Sequence, residues 1–361
     1  MQKEFNIPVV LIAPLDWGLG HVTRCIPIIK AFKQLNWHVI VATNVTGKAL
    51  LQKEFANVEF AELKGYRIRY SKNASQFFWK ILLQVPKIFV AVWQEHKWLK
   101  VFIRKRKISL IISDNRFGFC SDEIKSVFIT HQLRIKLQFG WMESLLQQIN
   151  YHHIKKFDCC WIPDVEGANN LSGELSHPVK YPAVPIHYLG LLSRFGKQNS
   201  IEKKYDYCII LSGPEPQRTV LEKKILKDIY RANKKFLLVR GKPNNLQEMP
   251  GDNNVIIKNH LTGNDLQLAM EQSDYVVSRS GYTTVMEILS LQKKSVLIPT
   301  PGQTEQEYLG KKLHQQQLCF CIDQKNFDLI DAIESASGFN YNTIQLNIFD
   351  KEKLNSLLQN L

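Results

Sequence analysis

Two groups of residues in this chain have the types and spacing that phosphate binding and proton transfer require. The first is Ser278-Arg279-Ser280-Gly281-Tyr282-Thr283-Thr284-Val285-Met286-Glu287, which follows an apolar run and opens a helical pattern. Gly281 allows close backbone approach, Thr283 and Thr284 offer hydroxyls and amides, and a helix N-terminus favours phosphate. Arg279 adds positive charge, and Glu287, one turn further on, can accept both hydroxyls of a ribose. A capped helix with a surface glutamate has the same local pattern. A second polar loop, Pro301-Gly302-Gln303-Thr304-Glu305-Gln306, follows the apolar run that ends at Pro299.

The proton-transfer candidates lie in the first half. Asp16-Trp17-Gly18-Leu19-Gly20-His21 follows the first apolar run, and Thr23 to Phe32 continues as a helix whose Pro27 is expected near its beginning. Gly18 and Gly20 let the backbone approach a phosphate, and His21 stands at a helix N-terminus. There the dipole disfavours imidazolium and leaves a neutral ring able to accept a proton. A lone histidine is more often structural, so a partner that fixes its tautomer matters. Asp114 ends another apolar run in Ile111-Ile112-Ser113-Asp114-Asn115-Arg116, where an Asp capping the turn is the alternative. Asn115, Arg116, His131 and Gln132 also fall at strand ends and are candidates for an acceptor side. Leu211-Ser212-Gly213-Pro214-Glu215-Pro216-Gln217-Arg218 joins a strand to a helix. Its two prolines lack the N–H groups that phosphate would use, which leaves Ser212, Gly213 and Arg218 as donor contacts.

These loops need a scaffold of strands and helices. Val9 to Leu15, Val39 to Thr43, Val58 to Leu63, Ile108 to Ser113 and Val127 to Thr130 read as buried strands separated by helical patterns. A second series comprises Tyr207 to Leu211, Phe236 to Val239, Val255 to Ile257, Tyr275 to Ser278, Val296 to Pro299 and Cys319 to Ile322. Such alternation predicts α/β architecture with two doubly wound, Rossmann-like lobes that carry ligands at strand carboxyl ends. Pro178, Pro182, Pro185, Gly190 and Gly196, then the polar run Lys197 to Lys204, suit a linker. The expected domains are therefore 1–193 and 194–361, with a last helix over Phe349 to Leu361 packing back on the first.

Arg279-Ser280-Gly281 with Glu287, a strand ending in proline and then Glu305-Gln306 resembles the nucleotide-sugar site of family 28 glycosyltransferases. That group includes the bacterial lipid I N-acetylglucosaminyltransferases and is related to the plant secondary-product transferases. The resemblance implies a GT-B fold, two lobes facing across a cleft, and a nucleotide-diphosphate sugar, UDP-linked, as donor. It places Ser280, Gly281, Thr283 and Thr284 on the diphosphate, Glu287 on the ribose, and Glu305 with Gln306 on the sugar. Arg279 stands where the plant enzymes usually have histidine. His21 becomes the expected general base and Asp114 its acidic partner. The base would take a proton from an acceptor hydroxyl, which attacks the anomeric carbon opposite the leaving group and inverts configuration.

Composition narrows the partners. A formal charge of +14 attracts polyanions, but no zinc-finger, RNP-like or KH-like motif supports nucleic acid as the partner. Seven cysteines without zinc spacing read as reduced core residues. No Asp-x-Asp motif occurs, so neither a metal nor another cofactor is expected. No signal peptide or spanning segment is visible, and a cytoplasmic location, peripheral to the inner face of the membrane, is expected. From Lys64 to Lys107 the chain has twelve Lys or Arg and one acid, Glu95, among Trp79, Trp93 and Trp98. Lys80, Gln84, Lys87 and Gln94 mark one helical stripe, with Pro86 as an expected kink. This insert either packs on the sheet or meets an anionic membrane or lipid-linked acceptor. An epimerase or hydrolase on the same scaffold, or a binding protein without turnover, are the competing readings.

Overall fold

The computed structural model describes residues 7–66, 85–136, 140–197, 201–243 and 245–361. The chain divides into two compact units. The first holds β1 (Val9–Pro14), α1 (Leu19–Gln34), β2 (His38–Thr43), α2 (Val45–Glu54), β3 (Glu59–Glu62) and α3 (Val85–Lys105). It continues with β4 (Leu110–Asp114), β5 (Ser126–Ile129), α4 (Gly140–Ile154), β6 (Cys159–Ile162) and β7 (Ile186–Tyr188). These strands form one parallel sheet in the order β3-β2-β1-β4-β5-β6-β7. The order reverses between β1 and β4, whose registers run Val10 opposite Leu110 through Pro14 opposite Asp114.

β1, β4 and β5 are buried almost throughout, as strands covered on both faces must be. α1 buries Val22, Cys25, Ile26, Ile28, Ile29 and Phe32, and this burial outweighs the backbone bond that Pro27 cannot make. Pro27 therefore lies well inside the helix, not near its beginning, and His21 sits in the first turn, after Gly18 at the cap with φ of 116°. Pro86 is the second residue of α3 as described from Val85, and the residues before it, on which the expected kink depends, lie outside the described residues.

The second unit spans Phe195–Leu346. Its elements are β8 (Tyr205–Ile210), α5 (Gln217–Asp228), β9 (Phe236–Val239), β10 (Val255–Lys258), α6 (Gly263–Glu271) and β11 (Ser273–Ser278). α7 (Tyr282–Ser290), β12 (Lys294–Leu297), α8 (Thr304–Gln315), β13 (Phe320–Cys321) and α9 (Leu329–Ser337) complete it. The parallel order β10-β9-β8-β11-β12-β13 reverses between β8 and β11. Its core joins Ile209, Leu238 and Val277 from the strands and Ile298 just after β12 with Leu221 and Ile225 from α5.

Asn347–Leu361 returns to the first unit. Leu191 donates its N–H to Asn347 O at 2.8 Å and Phe349 N–H to Leu191 O at 3.0 Å. α10 (Lys351–Gln359) then buries Leu354 and Leu357 and packs on α1. The second unit accordingly closes at Leu346 and not at the end of the chain. The proline-rich stretch expected to be a linker contains β7, an edge strand that follows Pro185 and pairs only with β6.

Candidate active site

In the first unit the reversal of strand order brings the loops after β1 and β4 together, the place where open α/β sheets take ligands. His21 Nδ1 lies 3.1 Å from Asp114 Oδ2. The His21 side chain keeps 19% of its surface exposed, whereas Asp114 is fully buried. Burial, then the charge of Arg24, pushes the His21 pKa below its ordinary value against the upward pull of Asp114. At Asp114 burial pushes the carboxyl up, but the charges of Arg24 and His21 and their hydrogen bonds overcome it. They hold the group well below the usual carboxylate range. The arrangement can keep an uncharged imidazole with one accessible edge beside a carboxylate held ionised well below the usual range.

Arg24 is the functional residue that sequence reading missed. It is 2% exposed and donates from Nε to Asp114 Oδ2 at 2.9 Å and from Nη2 to Asp114 Oδ1. Its Nη1 reaches His131 Nδ1 at 2.9 Å and its Nη2 reaches His21 Nδ1 at 2.8 Å. The available signal was its place three residues after His21, on the same face of a helix.

The acceptor-side candidates separate. His131 is buried and joins this cluster through Arg24. Asn115 turns the chain at the end of β4 with φ of 57°, a left-handed conformation that asparagine tolerates. Gln132 lies close by, its N–H donated to Thr130 Oγ1 at 3.0 Å. Arg116 does not face an acceptor: it is fully buried and donates to Glu95, to Pro14 O at 2.7 Å and to Asp16 at 3.2 Å. A guanidinium taken out of water needs such counter-charges, and the Tyr66 hydroxyl completes the set by donating to Glu95 at 2.7 Å. This network fastens α3 to the loops after β1 and β4.

α3 exposes Phe89, Val90, Trp93 and Val101 beside Lys87, Lys97 and Lys100. Lys97 Nζ lies 5.0 Å from the Trp93 ring centroid. Residues 67–84 of the basic insert, with Trp79, Lys80 and Gln84, lie outside the described residues. No described helix is long and apolar enough to cross a membrane.

In the second unit the loops after β8, β11 and β12 converge, because these strands are neighbours. Gly281 caps α7, and no atom lies within 4 Å of where a Cβ would stand on it. Thr283 and Thr284 are half-buried in the first turn, and Glu287 is buried one turn on. Ser280 Oγ donates to Gln306 O at 2.8 Å, and Gln306 Oε1 accepts from Thr300 N at 3.0 Å. A Cβ on Gly213, where φ is 95°, would stand 3.6 Å from Thr300 Oγ1. Ser212 and Gly213 are exposed at the end of β8, and Glu305 lies half-buried in the first turn of α8. Thr300 Oγ1 and Arg279 Nε are buried without a hydrogen-bond partner among the described residues.

Two of the expected donor residues are buried and hydrogen-bonded within the unit. Arg279 is 1% exposed, and its guanidinium donates to Ile298 O and Pro299 O at 3.1 Å and to Gln217 O at 2.9 Å. It ties three loops together, and burial lowers its pKa to about 10. Arg218 is buried too, spent on Glu215, Glu222 at 3.2 Å and Arg240 O at 3.1 Å. Both cations satisfy internal carbonyls and carboxylates that would otherwise be stranded.

The chain is similar to known proteins over parts or most of its length. Residues 215–342 match the glycosyltransferase family 28 C-terminal domain. The chain is 28% identical over 102 residues to the UDP-N-acetylglucosamine–N-acetylmuramyl-(pentapeptide) pyrophosphoryl-undecaprenol N-acetylglucosamine transferase of Caldicellulosiruptor saccharolyticus. That match covers 27% of this chain and spans only 26% of the relative's length. Among solved structures, the glycotransferase of kitacinnamycin is similar with a TM-score of 0.66 at 12% identity, over 98% of this chain and 94% of that one. Spinosyn rhamnosyltransferase SpnG complexed with thymidine diphosphate gives 0.63 at 12% identity, over 92% of each chain. Acinetobacter baumannii MurG gives 0.55 at 12% identity, over 98% and 100%. The second unit thus carries a stretch that matches the family 28 C-terminal domain, and the two parallel-sheet units have the GT-B fold of these glycosyltransferase structures.

Proposed function

We propose that this protein transfers a sugar from a nucleotide-diphosphate donor, UDP-linked, to a hydroxyl acceptor with inversion at the anomeric carbon. The observation that carries the reading is the contact of His21 with a buried, ionised Asp114 where the first sheet reverses, in a chain whose second unit is a family 28 domain. In this reading the acceptor's O–H bond breaks as its proton moves to His21 Nε2. The oxygen forms the new bond to the anomeric carbon, and the nucleoside diphosphate leaves with the electron pair of the bond it held.

The negative charge that grows on the leaving group is met by backbone N–H groups at the start of α7, with Ser280, Thr283 and Thr284 around them. Glu287 takes the ribose, and Glu305 with Gln306 the sugar. Arg279 acts by holding these loops in place, not by touching phosphate. No metal enters the reaction so described. A lipid-linked acceptor is the class that suits the apolar and basic surface of α3, and with it an association with the membrane surface from the cytoplasmic side.

The test begins with a thermal-shift screen of nucleotide sugars, since a bound donor stabilises the native state according to its occupancy. With the donor found, His21→Ala should bind it as the wild type does while release of nucleoside diphosphate disappears. Unchanged turnover would remove His21 as the base. Binding of a donor with no release by the wild type under any acceptor tried would favour a protein that only holds the nucleotide sugar.

A further inference from the structure

Three side chains from three neighbouring strand ends share one buried guanidinium. Arg24 holds Asp114 by a fork, Nε to Oδ2 at 2.9 Å and Nη2 to Oδ1, the geometry that matches a carboxylate best. It also reaches His131 Nδ1 at 2.9 Å and His21 Nδ1 at 2.8 Å. A guanidinium has donors only and keeps its charge across the pH range of proteins. His131 Nδ1 must therefore present its lone pair to Arg24, which puts the proton of that ring on Nε2. At His21 two neighbours claim one nitrogen. Nδ1 can accept from Arg24, or carry a proton and donate to Asp114 Oδ2 at 3.1 Å, but not both.

We propose that Arg24 is a positioning residue that, by occupying Asp114, keeps His21 uncharged and ready to take a proton. The role in transfer rests on the reading of His21 as the base. When His21 takes the acceptor's proton on Nε2, its Nδ1–H points to Asp114, and the new imidazolium shares a carboxylate that Arg24 already neutralises. The ring therefore holds that proton weakly and passes it on to water. In a histidine–aspartate pair without the arginine, the carboxylate would stabilise the imidazolium and the ring would stay charged into the neutral range. The groups gathered here are Arg24 and Cys25 from α1, Asp114 from β4 and His131 from beyond β5, with Cys25 Sγ 3.8 Å from Asp114 Oδ2. Of these Asp114 pulls the His21 pKa upward, while burial and then Arg24 push it down.

The test is a pH titration of the histidine ring nitrogens by long-range proton–nitrogen correlation NMR on the full chain, with signals assigned through His21→Gln and His131→Gln. In the wild type His21 should titrate below the ordinary histidine value, and His131 should show the Nε2–H tautomer. Arg24→Met should raise the His21 midpoint by about one unit or more, and Arg24→Lys, which keeps the charge without the fork, by less. A wild-type His131 protonated at Nδ1, or a His21 midpoint that stays put in folded Arg24→Met, would overturn the proposal. The wild-type tautomer needs no variant, so it decides the matter even where Arg24→Met does not fold. Donor turnover by His21→Gln is a separate measurement: full activity there removes the base, whereas an unmoved titration removes the role of Arg24.

Discussion

Replacing Asp114 by asparagine should cost the first unit a large part of its stability. The carboxylate is fully buried, so solvent does not screen its interactions, and it accepts from Arg24 twice and lies 3.1 Å from His21. Asparagine has nearly the same size but no charge, and it leaves Arg24, 2% exposed, as a buried cation facing an amide. Breaking a buried pair from one side costs about 3–5 kcal/mol. At about 2–4 °C per kcal/mol for a domain of this size, the melting temperature should fall by about 6–20 °C. Thermal melts of wild type, Asp114→Asn, Arg24→Met and the double variant at neutral pH would measure it. The double variant strands neither charge, so it should lose clearly less than the sum of the two. An asparagine variant melting within about 1 °C of the wild type, or a strictly additive double, would refute the buried pairing. The acid limb has a definite sign as well. A carboxylate whose pKa is depressed in the folded state contributes stability above its ordinary value of 3.8 and loses it as pH falls through the folded value. The wild type should show that loss below about pH 4, and Asp114→Asn should lack it.

Glu287→Ala should weaken nucleotide binding by about tenfold, the worth of a hydrogen bond to a charged acceptor, as read from thermal shift against donor concentration. Equal affinity would move the ribose elsewhere. Gly241→Ala should destabilise the second unit by about 1–3 kcal/mol, because a Cβ there would stand 2.2 Å from Leu211 O and φ is 68°. Denaturant melts would show it. For α3, flotation with anionic liposomes at low salt should carry the protein upward, and replacing exposed Trp93 and Phe89 with Ser should abolish it. A wild-type protein that stays at the bottom would leave α3 a packing element alone.

The sequence by itself determined the two parallel sheets, since strands covered on both faces are apolar from end to end and stand out between Gly-rich loops, as at Val9–Pro14 and Leu110–Asp114. It also showed His21, Asp114 and the Ser280–Gly281 turn, because each follows a recognisable strand. β6 and β7 were not read as strands. Tertiary structure alone decided what the arginines do. Arg116, Arg218 and Arg279 looked like ligand contacts, but each is buried and donates to carboxylates or carbonyls within the fold. Arg24 looked like an ordinary helix residue, yet Asp114 lies 90 residues away and His131 107 residues away. Local pattern cannot report such a meeting, because the desolvation that forces a charge to find its partner exists only once the sheet has brought those strand ends side by side.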